Sequence, residues 1–443
     1  MYSVVHPASL GTPDVQGFID LLNGLADHPF SPAREIFAND ADLIVARAPG
    51  RLDVMGGIAD YSGSHVLEFP IAEATVAAVQ LNAERTLNIV SLMEDDSLHA
   101  SFTMPLSVLD GPIEYEMARE FFKRDAARRW AAYVAGVFLV LMRERDASFA
   151  SGANILVSSR VPLGKGVSSS AALEVAVMEA VAAAFDIRIE GKDTALLCQK
   201  VENLVVGAPC GVMDQMTAVF GEDDRLLLLL CQPAEIVRMI WLPKQLALWG
   251  IDSGIRHSVG GADYGSVREA AFTGLGIISE LRPELTYLAN VSPSEFEGGF
   301  RARLPERVVK ATAHPIYENV RVLRFVELLD QCETSAERES LFEELGELMY
   351  ESHQSYTALG LNSAGTDLIV ELVRREGPAA GLFGAKITGG GSGGTVAVLG
   401  SSTSGSAIQR VAASYAKETG RQPYLFHGSS SGSRAFGHLR LRT

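Results

Sequence analysis

Four charged side chains of types that can transfer a proton, bind a metal ion or orient a group that does lie in or near glycine-rich segments. Arg51 and Asp60 fall within Pro49–Gly63, and Glu202 precedes Asp214 by twelve positions. A glycine and a proline between the two carboxylates put them on different elements, from which both can approach one site. A carboxylate can accept a proton or bind a divalent cation, and an adjacent arginine can orient it. Singly, these residues also fit a hairpin ion pair, a solvated helix residue and a helix N-cap.

The sequence of Pro162–Ala172 indicates a loop that leads into a helix and attracts anions. Its glycines let the backbone approach a ligand, and its serines are expected to cap the helix, whose first N–H groups attract phosphate. No Gly-Lys-Ser/Thr closes the segment, so it is not a Walker A loop. Lys165 can reach a phosphate or remain solvated. A capped helix with a flexible approach is the alternative.

A third glycine-rich segment, Thr388–Thr395, formally contains the dinucleotide-binding pattern GxGxxG. That pattern must lead from a strand into a helix. Here Val396–Leu399 predicts a strand instead, so the dinucleotide interpretation fails. A compact loop packed on a phosphate-bearing ligand suits this segment better than a linker does.

The hydrophobic pattern predicts the elements that position these segments. A strand over Asp42–Ala48 runs into a sharp turn at Pro49-Gly50. A tightly packed helix covers Ser168–Phe185, and we expect a mobile loop over Ser294–Arg307.

Length and pattern favour two domains. The chain has 443 residues, and domains average roughly 150 residues. The pattern changes near residue 220, so we place a first domain over 1–220, with a helical extension over 1–40, and a second domain over 221–443.

Composition favours a soluble cytoplasmic protein. The net charge of −16 argues against nucleic acid or an anionic membrane as partner. The four cysteines form no CxxC pair, which suits a reducing compartment. The apolar stretch Tyr133–Met142 is about half of the roughly 20 residues that a membrane span needs, and Met1–Asp20 carries no leader pattern.

In their order and amino-acid sequences, the three segments resemble the motifs of the GHMP kinases over about Asp42–Gly400. The stretches Cys198–Gln215 and Asp252–Ser258, with Asp263-Tyr264, are similar to the galactokinase branch. The resemblance implies an α+β, two-domain GHMP kinase fold, with a ribosomal protein S5 domain 2-like N-terminal domain and a ferredoxin-like C-terminal domain. It also implies an active site in the cleft between them, with ATP and Mg²⁺ as cofactors.

The resemblance assigns ligand contacts residue by residue. It implies ATP binding by Pro162, Gly164, Lys165, Gly166, Val167, Ser168, Ser169, Ser170, Ala171, Gly390 and Gly391. It implies Mg²⁺ contacts for Glu202 and Ser170, with Ser169 as the alternative to Ser170. It implies sugar binding by Asp60, Gly57, Ile58, Tyr61, Gly211 and Tyr264. Arg256 and His257 are interpreted as structural supports.

Asp214 and Arg51 carry the catalytic roles that the resemblance implies. Asp214 would take the proton of the sugar hydroxyl as phosphate transfers, and Arg51 would orient it and offset negative charge. A neighbouring cation also weakens a carboxylate as a base. Asp214 as a general base and Asp214 as an electrostatic organiser therefore both stay open.

The first segment departs from the galactokinase motif where sugars are distinguished. Galactokinases read Gly-Glu-His-Thr-Asp-Tyr, and residues 56–61 read Gly-Gly-Ile-Ala-Asp-Tyr. In that family the Glu helps to hold the C6 hydroxyl and the Asp binds ring hydroxyls nearer C3 and C4. Gly57 and Ile58 therefore imply loss of the first contact, and Asp60 implies retention of the second. L-Arabinopyranose has the ring configuration of D-galactopyranose without C6, and residues 50–64 are also similar to the kinase part of plant L-arabinokinases.

We therefore expect an ATP-dependent sugar 1-kinase acting on L-arabinose. Galactokinase, or another anomeric sugar kinase, is the nearest alternative. A sugar sensor that binds sugar and ATP without catalysis is another; such sensors can lack the Ser-Ala step, present here as Ser170-Ala171. Cys210–Gln215 disfavours a mevalonate-type kinase. The expected partners are the sugar and ATP, and the expected state is a monomer or weak homo-oligomer.

Overall fold

The computed structural model describes residues 2–6, 12–38, 41–93, 98–111, 113–125, 128–256, 262–334 and 338–443. His257 and Ser258, which belong to a predicted motif, lie outside these ranges. Within them, no helix is long and apolar enough to cross a bilayer.

The strands of the described residues form two sheets. They are β1 (Ser3–His6), β2 (Leu43–Met55), β3 (His65–Asn82), β4 (Thr86–Met93), β5 (Ala100–Pro105), β6 (Gly152–Ser159), β7 (Arg225–Leu230), β8 (Glu235–Trp241), β9 (Leu246–Asp252), β10 (Leu382–Ile387), β11 (Thr395–Ser401), β12 (Leu425–His427) and β13 (His438–Arg442). The larger sheet has the order β1-β13-β2-β3-β6-β4-β5, and β7 pairs with both β3 and β8. The smaller sheet has the order β10-β11-β9-β12. The chain passes from the first sheet to the second between Trp241 and Leu246, and the boundary near residue 220 stays a proposal.

Helices cover both sheets. They are α1 (Pro13–Gly24), α2 (Ser31–Arg34), α3 (Tyr115–Lys123), α4 (Ala131–Glu144), α5 (Ser169–Ala184), α6 (Gly191–Lys200), α7 (Met213–Phe220), α8 (Ala262–Leu281), α9 (Pro293–Glu295), α10 (Glu306–Thr334), α11 (Arg338–Ala358), α12 (Ala364–Glu376), α13 (Gly405–Thr419) and α14 (Ser433–Phe436). The largest apolar core lies between the first sheet and α4 and α5, both rich in small and apolar side chains. A separate core beside the second sheet includes side chains of α12 and α13.

The turn expected at Pro49-Gly50 is wrong. Strand β2 continues through both residues to Met55, with a register shift between Pro49 and Arg51 against β3. A Cβ on Gly50 would lie 2.5 Å from the carbonyl oxygen of Val167. The glycine therefore serves a close approach of the second glycine-rich segment, and it does not reverse the chain.

The mobile loop expected over Ser294–Arg307 is also wrong. These residues belong to α9, a π-helical turn over Phe296–Phe300, a 3₁₀ turn over Arg301–Arg303 and the start of α10. The side chain of Ser292 forms a capping box with Glu295, and Phe296 is fully buried. A cap and a buried aromatic anchor order this polar segment despite its glycines.

Candidate active site

The extension of β2 past Gly50 brings Arg51 to the start of α7. The Arg51 Nε and Nη2 atoms donate to Oδ1 of Asp214 at 2.9 and 2.7 Å, and Nη1 donates to the Gly166 carbonyl at 2.7 Å. Both bonds to Asp214 end on Oδ1, so Arg51 does not engage Oδ2. Arg51 is also paired with Glu68 at 3.2 Å, and nearby Asp214, Glu68 and Asp53 raise its pKa against the effect of burial.

The Asp60 carboxylate lies in the same cavity as Asp214. A 3₁₀ turn over Gly57–Ser62 carries it, and the backbone N–H groups of Tyr61 and Met213 donate to it. Burial, with the negative charge of Asp214 as the second cause, raises the pKa of Asp60 to about 7. A Cβ at Gly211 would lie 1.9 Å from Oδ2 of Asp60, so a glycine is required there.

The second glycine-rich segment forms the opposite wall. Gly164 and Gly166 have positive φ angles and line the cavity, followed by the serines at the start of α5. The prediction that serines cap this helix is wrong, because the Ser168 side chain makes no capping bond. Ser168 instead has a φ of +61°, and its buried hydroxyl has no hydrogen-bond partner. A strained residue with an unsatisfied hydroxyl, beside the first N–H groups of a helix, which have no partner within the helix, suits an anionic ligand.

Glu202 and Ser170 form the candidate metal-binding pair. Glu202 accepts hydrogen bonds from Gln215 Nε2 at 2.8 Å and from Cys210 Sγ at 3.6 Å. Burial, followed by the charge of Asp214, raises the pKa of Glu202 to about 7, and hydrogen bonds from Ser170, Cys210 and Gln215 oppose this rise.

These oxygen donors suit Mg²⁺. No cluster of three or more His, Cys, Asp or Glu side chains suited to a metal occurs in the described part of the chain. Mg²⁺ commonly uses one or two carboxylates and takes its other oxygens from water and phosphate. A carboxylate and a hydroxyl next to the candidate phosphate site fit that preference.

The third glycine-rich segment packs on the second. Gly390 lines the cavity, and the Thr395 hydroxyl donates to the Lys165 carbonyl at 2.8 Å. A Cβ at Gly394 would lie 2.6 Å from that carbonyl oxygen. The Lys165 side chain is 24% exposed and forms an ion pair with the buried Asp252 of β9, and Lys165 is not among the residues that line the cavity. Its role as a phosphate ligand remains a prediction.

The structure brings most of the predicted residues together in one cavity. Those that line it are Arg51, Ile58, Asp60, Gly164, Gly166, Ser168, Ser169, Ser170, Glu202, Gly211, Asp214, Tyr264 and Gly390. The predicted residues Gly57, Tyr61, Lys165, Val167, Ala171 and Gly391 are absent from this lining. Pro162 lines a neighbouring cavity with Met93, Leu98 and Leu163. Arg256, interpreted as a support, also lines that second cavity.

Sequence reasoning missed four residues of the site. Pro209, Cys210 and Met213 line the cavity, and all lie inside the motif-like stretch that ends at Gln215. Glu68, paired with Arg51, carries one sequence signal, a single carboxylate in the otherwise apolar run Val66–Ile71.

Comparisons with known proteins identify the family of the chain. The sequence profile of the GHMP kinases N terminal domain matches residues 132–222, and that of the GHMP kinases C terminal domain matches 335–418. The galactokinase galactose-binding signature matches residues 34–81. A galactokinase of Chloroflexus aggregans is 31% identical over 85% of this chain and 89% of its own length. The chain belongs to the galactokinase branch of the GHMP kinase family.

Two further relatives bear on this GHMP kinase. The L-arabinokinase of Arabidopsis thaliana is 44% identical over 92% of the chain, which spans only 47% of that relative's length. The crystal structure of Lactococcus lactis galactokinase complexed with galactose superposes with a TM-score of 0.79 at 21% identity, covering 94% of this chain and 99% of the other. The expected α+β fold with two GHMP kinase domains is confirmed.

Proposed function

We propose that this GHMP kinase transfers the γ-phosphate of ATP to the anomeric hydroxyl of L-arabinose, giving L-arabinose 1-phosphate and ADP. The observation that carries the proposal is one cavity in which an Arg51-bound Asp214 faces the start of α5 and shares the space with Asp60. Phosphoryl transfer depends mainly on positioning and charge neutralisation, and these groups provide both.

In the proposed reaction the anomeric oxygen forms a bond to the γ-phosphorus as the bond from phosphorus to the ADP oxygen breaks. The hydroxyl proton passes to Asp214 acting as general base, or leaves late while Asp214 orients the hydroxyl. Arg51 fixes the Oδ1 atom of Asp214 in both versions. The helix start and the glycine-rich segment hold the phosphates. Ser170 and Glu202 would hold Mg²⁺, which would neutralise charge on the phosphate oxygens.

The cavity beside Pro162, which Ser159, Arg160 and Arg256 line together with apolar side chains, is our candidate for the adenine ring. Met93, Leu98 and Leu163 offer apolar faces to a flat ring, and the cavity adjoins the loop that leads to the phosphate site. The proposed ATP position therefore follows the second glycine-rich segment from base to phosphates.

The preference for arabinose rests on two residues of the first segment. Residue 57 is glycine and has no side chain for a C6 hydroxyl, and Ile58 gives the cavity an apolar wall. Asp60 remains as a partner for ring hydroxyls. The similarity to an L-arabinokinase supports this preference, whereas the galactokinase relatives and the retained Asp60 favour galactokinase as the second candidate.

The test is ADP release with Mg-ATP across L-arabinose, D-galactose, L-fucose, D-xylose and N-acetylgalactosamine. We expect the highest kcat/KM with arabinose and residual galactose turnover, because an apolar pocket rejects an added hydroxyl only by about 100-fold. Equal turnover of galactose would contradict the pocket argument. No turnover of any sugar would contradict the kinase proposal.

A further inference from the structure

One buried tyrosine at the end of α11 contacts the first and third glycine-rich segments. Tyr356 is fully buried, and its Oη donates to the Gly389 carbonyl at 2.9 Å. The same Oη accepts the N–H of Ile58, also at 2.9 Å. The proposed phosphoryl transfer makes no use of this residue, yet its hydroxyl holds the backbone of a residue that lines the cavity.

The Tyr356 hydroxyl also fills the space that a side chain at residue 57 would need. A Cβ built on Gly57 would lie 1.8 Å from Oη and 3.0 Å from Cζ of Tyr356. Gly57 also has a φ of +49°, a conformation that other residues adopt only at a cost. The same Cβ would lie 2.7 Å from Oδ2 of Asp53, so any side chain at this position has to displace Tyr356, the nearer group, and also shift the Asp53 carboxylate.

A buried carboxylate reinforces the same arrangement. Asp53 accepts the N–H of Gly57 at 2.9 Å through Oδ1, and through Oδ2 it accepts Lys386 Nζ at 2.6 Å and the Gly389 N–H at 3.3 Å. Two consecutive N–H groups of the first segment are thus held, that of Gly57 by Asp53 and that of Ile58 by the tyrosine. Gly389 is held at both its N–H and its carbonyl. These hydrogen bonds hold the backbone that carries Ile58, the apolar wall of the cavity, in place.

We propose that Tyr356 determines sugar specificity through the first segment, without touching the sugar. The inference rests on the proposed function. The tyrosine hydroxyl requires glycine at position 57, which keeps a side chain that could bind the C6 hydroxyl out of the cavity. The same hydroxyl holds Ile58 in place as the apolar wall. Gly57 and Tyr356 are a matched pair. A polar side chain at 57 confers preference for a sugar with a hydroxymethyl group only when Tyr356 is also replaced by a smaller residue.

The first test compares the ratio of kcat/KM for D-galactose to that for L-arabinose in four proteins. They are the wild type, Gly57→Glu/Ile58→His, Tyr356→Leu and the triple variant. We expect a small change in the two intermediate variants and a rise of about tenfold or more in the triple variant. A double variant that shifts the ratio as far as the triple variant would overturn the matched pair. So would a folded triple variant with the wild-type ratio.

The second test measures thermal unfolding and needs no turnover. We expect Gly57→Ala to lower the midpoint in the wild type and to lower it by clearly less in Tyr356→Phe, which lacks the clashing hydroxyl. Tyr415→Phe is the matched control, because Tyr415 is also fully buried and its hydroxyl donates to the Ser253 carbonyl at 2.6 Å, away from this segment. In the Tyr415→Phe background, Gly57→Ala should lower the unfolding midpoint by as much as in the wild type.

The two tests separate the possible failures. Equal Gly57→Ala effects in all three backgrounds would overturn the steric pairing even if the enzyme phosphorylates arabinose. Inactivity of the wild type toward every sugar would overturn the proposed function and, with it, the specificity role, whatever the unfolding data show.

Discussion

Arg51→Met separates the structural and chemical roles of the site arginine. Arg51 is 3% exposed and Glu68 is fully buried, and neither carboxylate oxygen of Glu68 has a hydrogen-bond partner. Removing one partner of a buried ion pair costs about 3–5 kcal/mol, because the other charge is left uncompensated. We expect a loss of unfolding free energy of that order. We also expect kcat to fall by about 10²–10³, because Asp214 loses both of its hydrogen bonds to the guanidinium.

The stability loss should depend on pH. Burial, with the charge of Asp53 as the second cause, already raises the pKa of Glu68 well above its usual range, and Arg51 opposes this rise. Without the guanidinium the folded-state pKa rises further above the unfolded value. The folded state then binds the proton more tightly, so stability falls as pH rises, by at most about 1.4 kcal/mol per pH unit. Denaturant unfolding at pH 6 and pH 8 should show the larger loss at pH 8.

Arg51→Met/Glu68→Gln distinguishes the two roles. The neutral amide needs no counter-charge, so this double variant should regain much of the stability and none of the turnover. Restored turnover would refute a chemical role for Arg51. Arg47→Met is the matched control: Arg47 is 2% exposed and paired with Asp14 at 2.6 Å, and it is not among the cavity-lining residues. It should lose stability while the folded enzyme keeps its kcat.

Three further outcomes are expected. Asp214→Asn should reduce ADP release to near background while calorimetry still detects sugar binding; sustained turnover would rule out both proposed roles of Asp214. Burial raises the pKa of Asp60 to about 7, so its carboxylate form, which accepts hydrogen bonds, predominates only above that pH. The KM for sugar should therefore fall between pH 6 and 8. A constant KM would contradict the assignment of Asp60 to sugar binding. Lys386→Met leaves the fully buried Asp53 without its lysine partner and should lower the unfolding free energy by about 3–5 kcal/mol. The double variant Lys386→Met/Asp53→Asn should regain much of this stability.

The sequence was sufficient to predict residues that carry their own local signal. Arg51, Asp60 and Asp214 each lie in a segment whose glycines or helix-start pattern point to a close backbone approach, and the structure brings all three to one cavity. The strand through Pro49-Gly50 was not predictable in this way. Gly50 is needed for a contact with the Val167 carbonyl, and such a contact depends on how distant segments pack.

The supporting residues could not be predicted for the same reason. Glu68 reaches Arg51 because β2 and β3 pair in the register that sets Asp53 opposite Glu68. Tyr356 and Lys386 reach the first segment from α11 and β10, some 300 positions further along the chain. A tyrosine near a helix end is ordinary in a sequence. The role of Tyr356 follows only from a contact in the folded chain, because a Cβ at residue 57 would lie 1.8 Å from its hydroxyl.

The charge balance of the cavity gives a reason why the segments proposed to bind phosphate are rich in glycine rather than lysine. Arg51 already has Asp214, Glu68 and Asp53 as neighbours, and Lys165 is occupied by Asp252. Arg51 and Lys165 therefore leave little positive charge for a triphosphate in the cavity that holds Asp214. Backbone N–H groups at the start of α5 and in the glycine-rich turns supply partial positive charge without a counter-ion of their own. A chain with a net charge of −16 can in this way bind an anion, provided that its backbone comes close enough, which is what glycine allows.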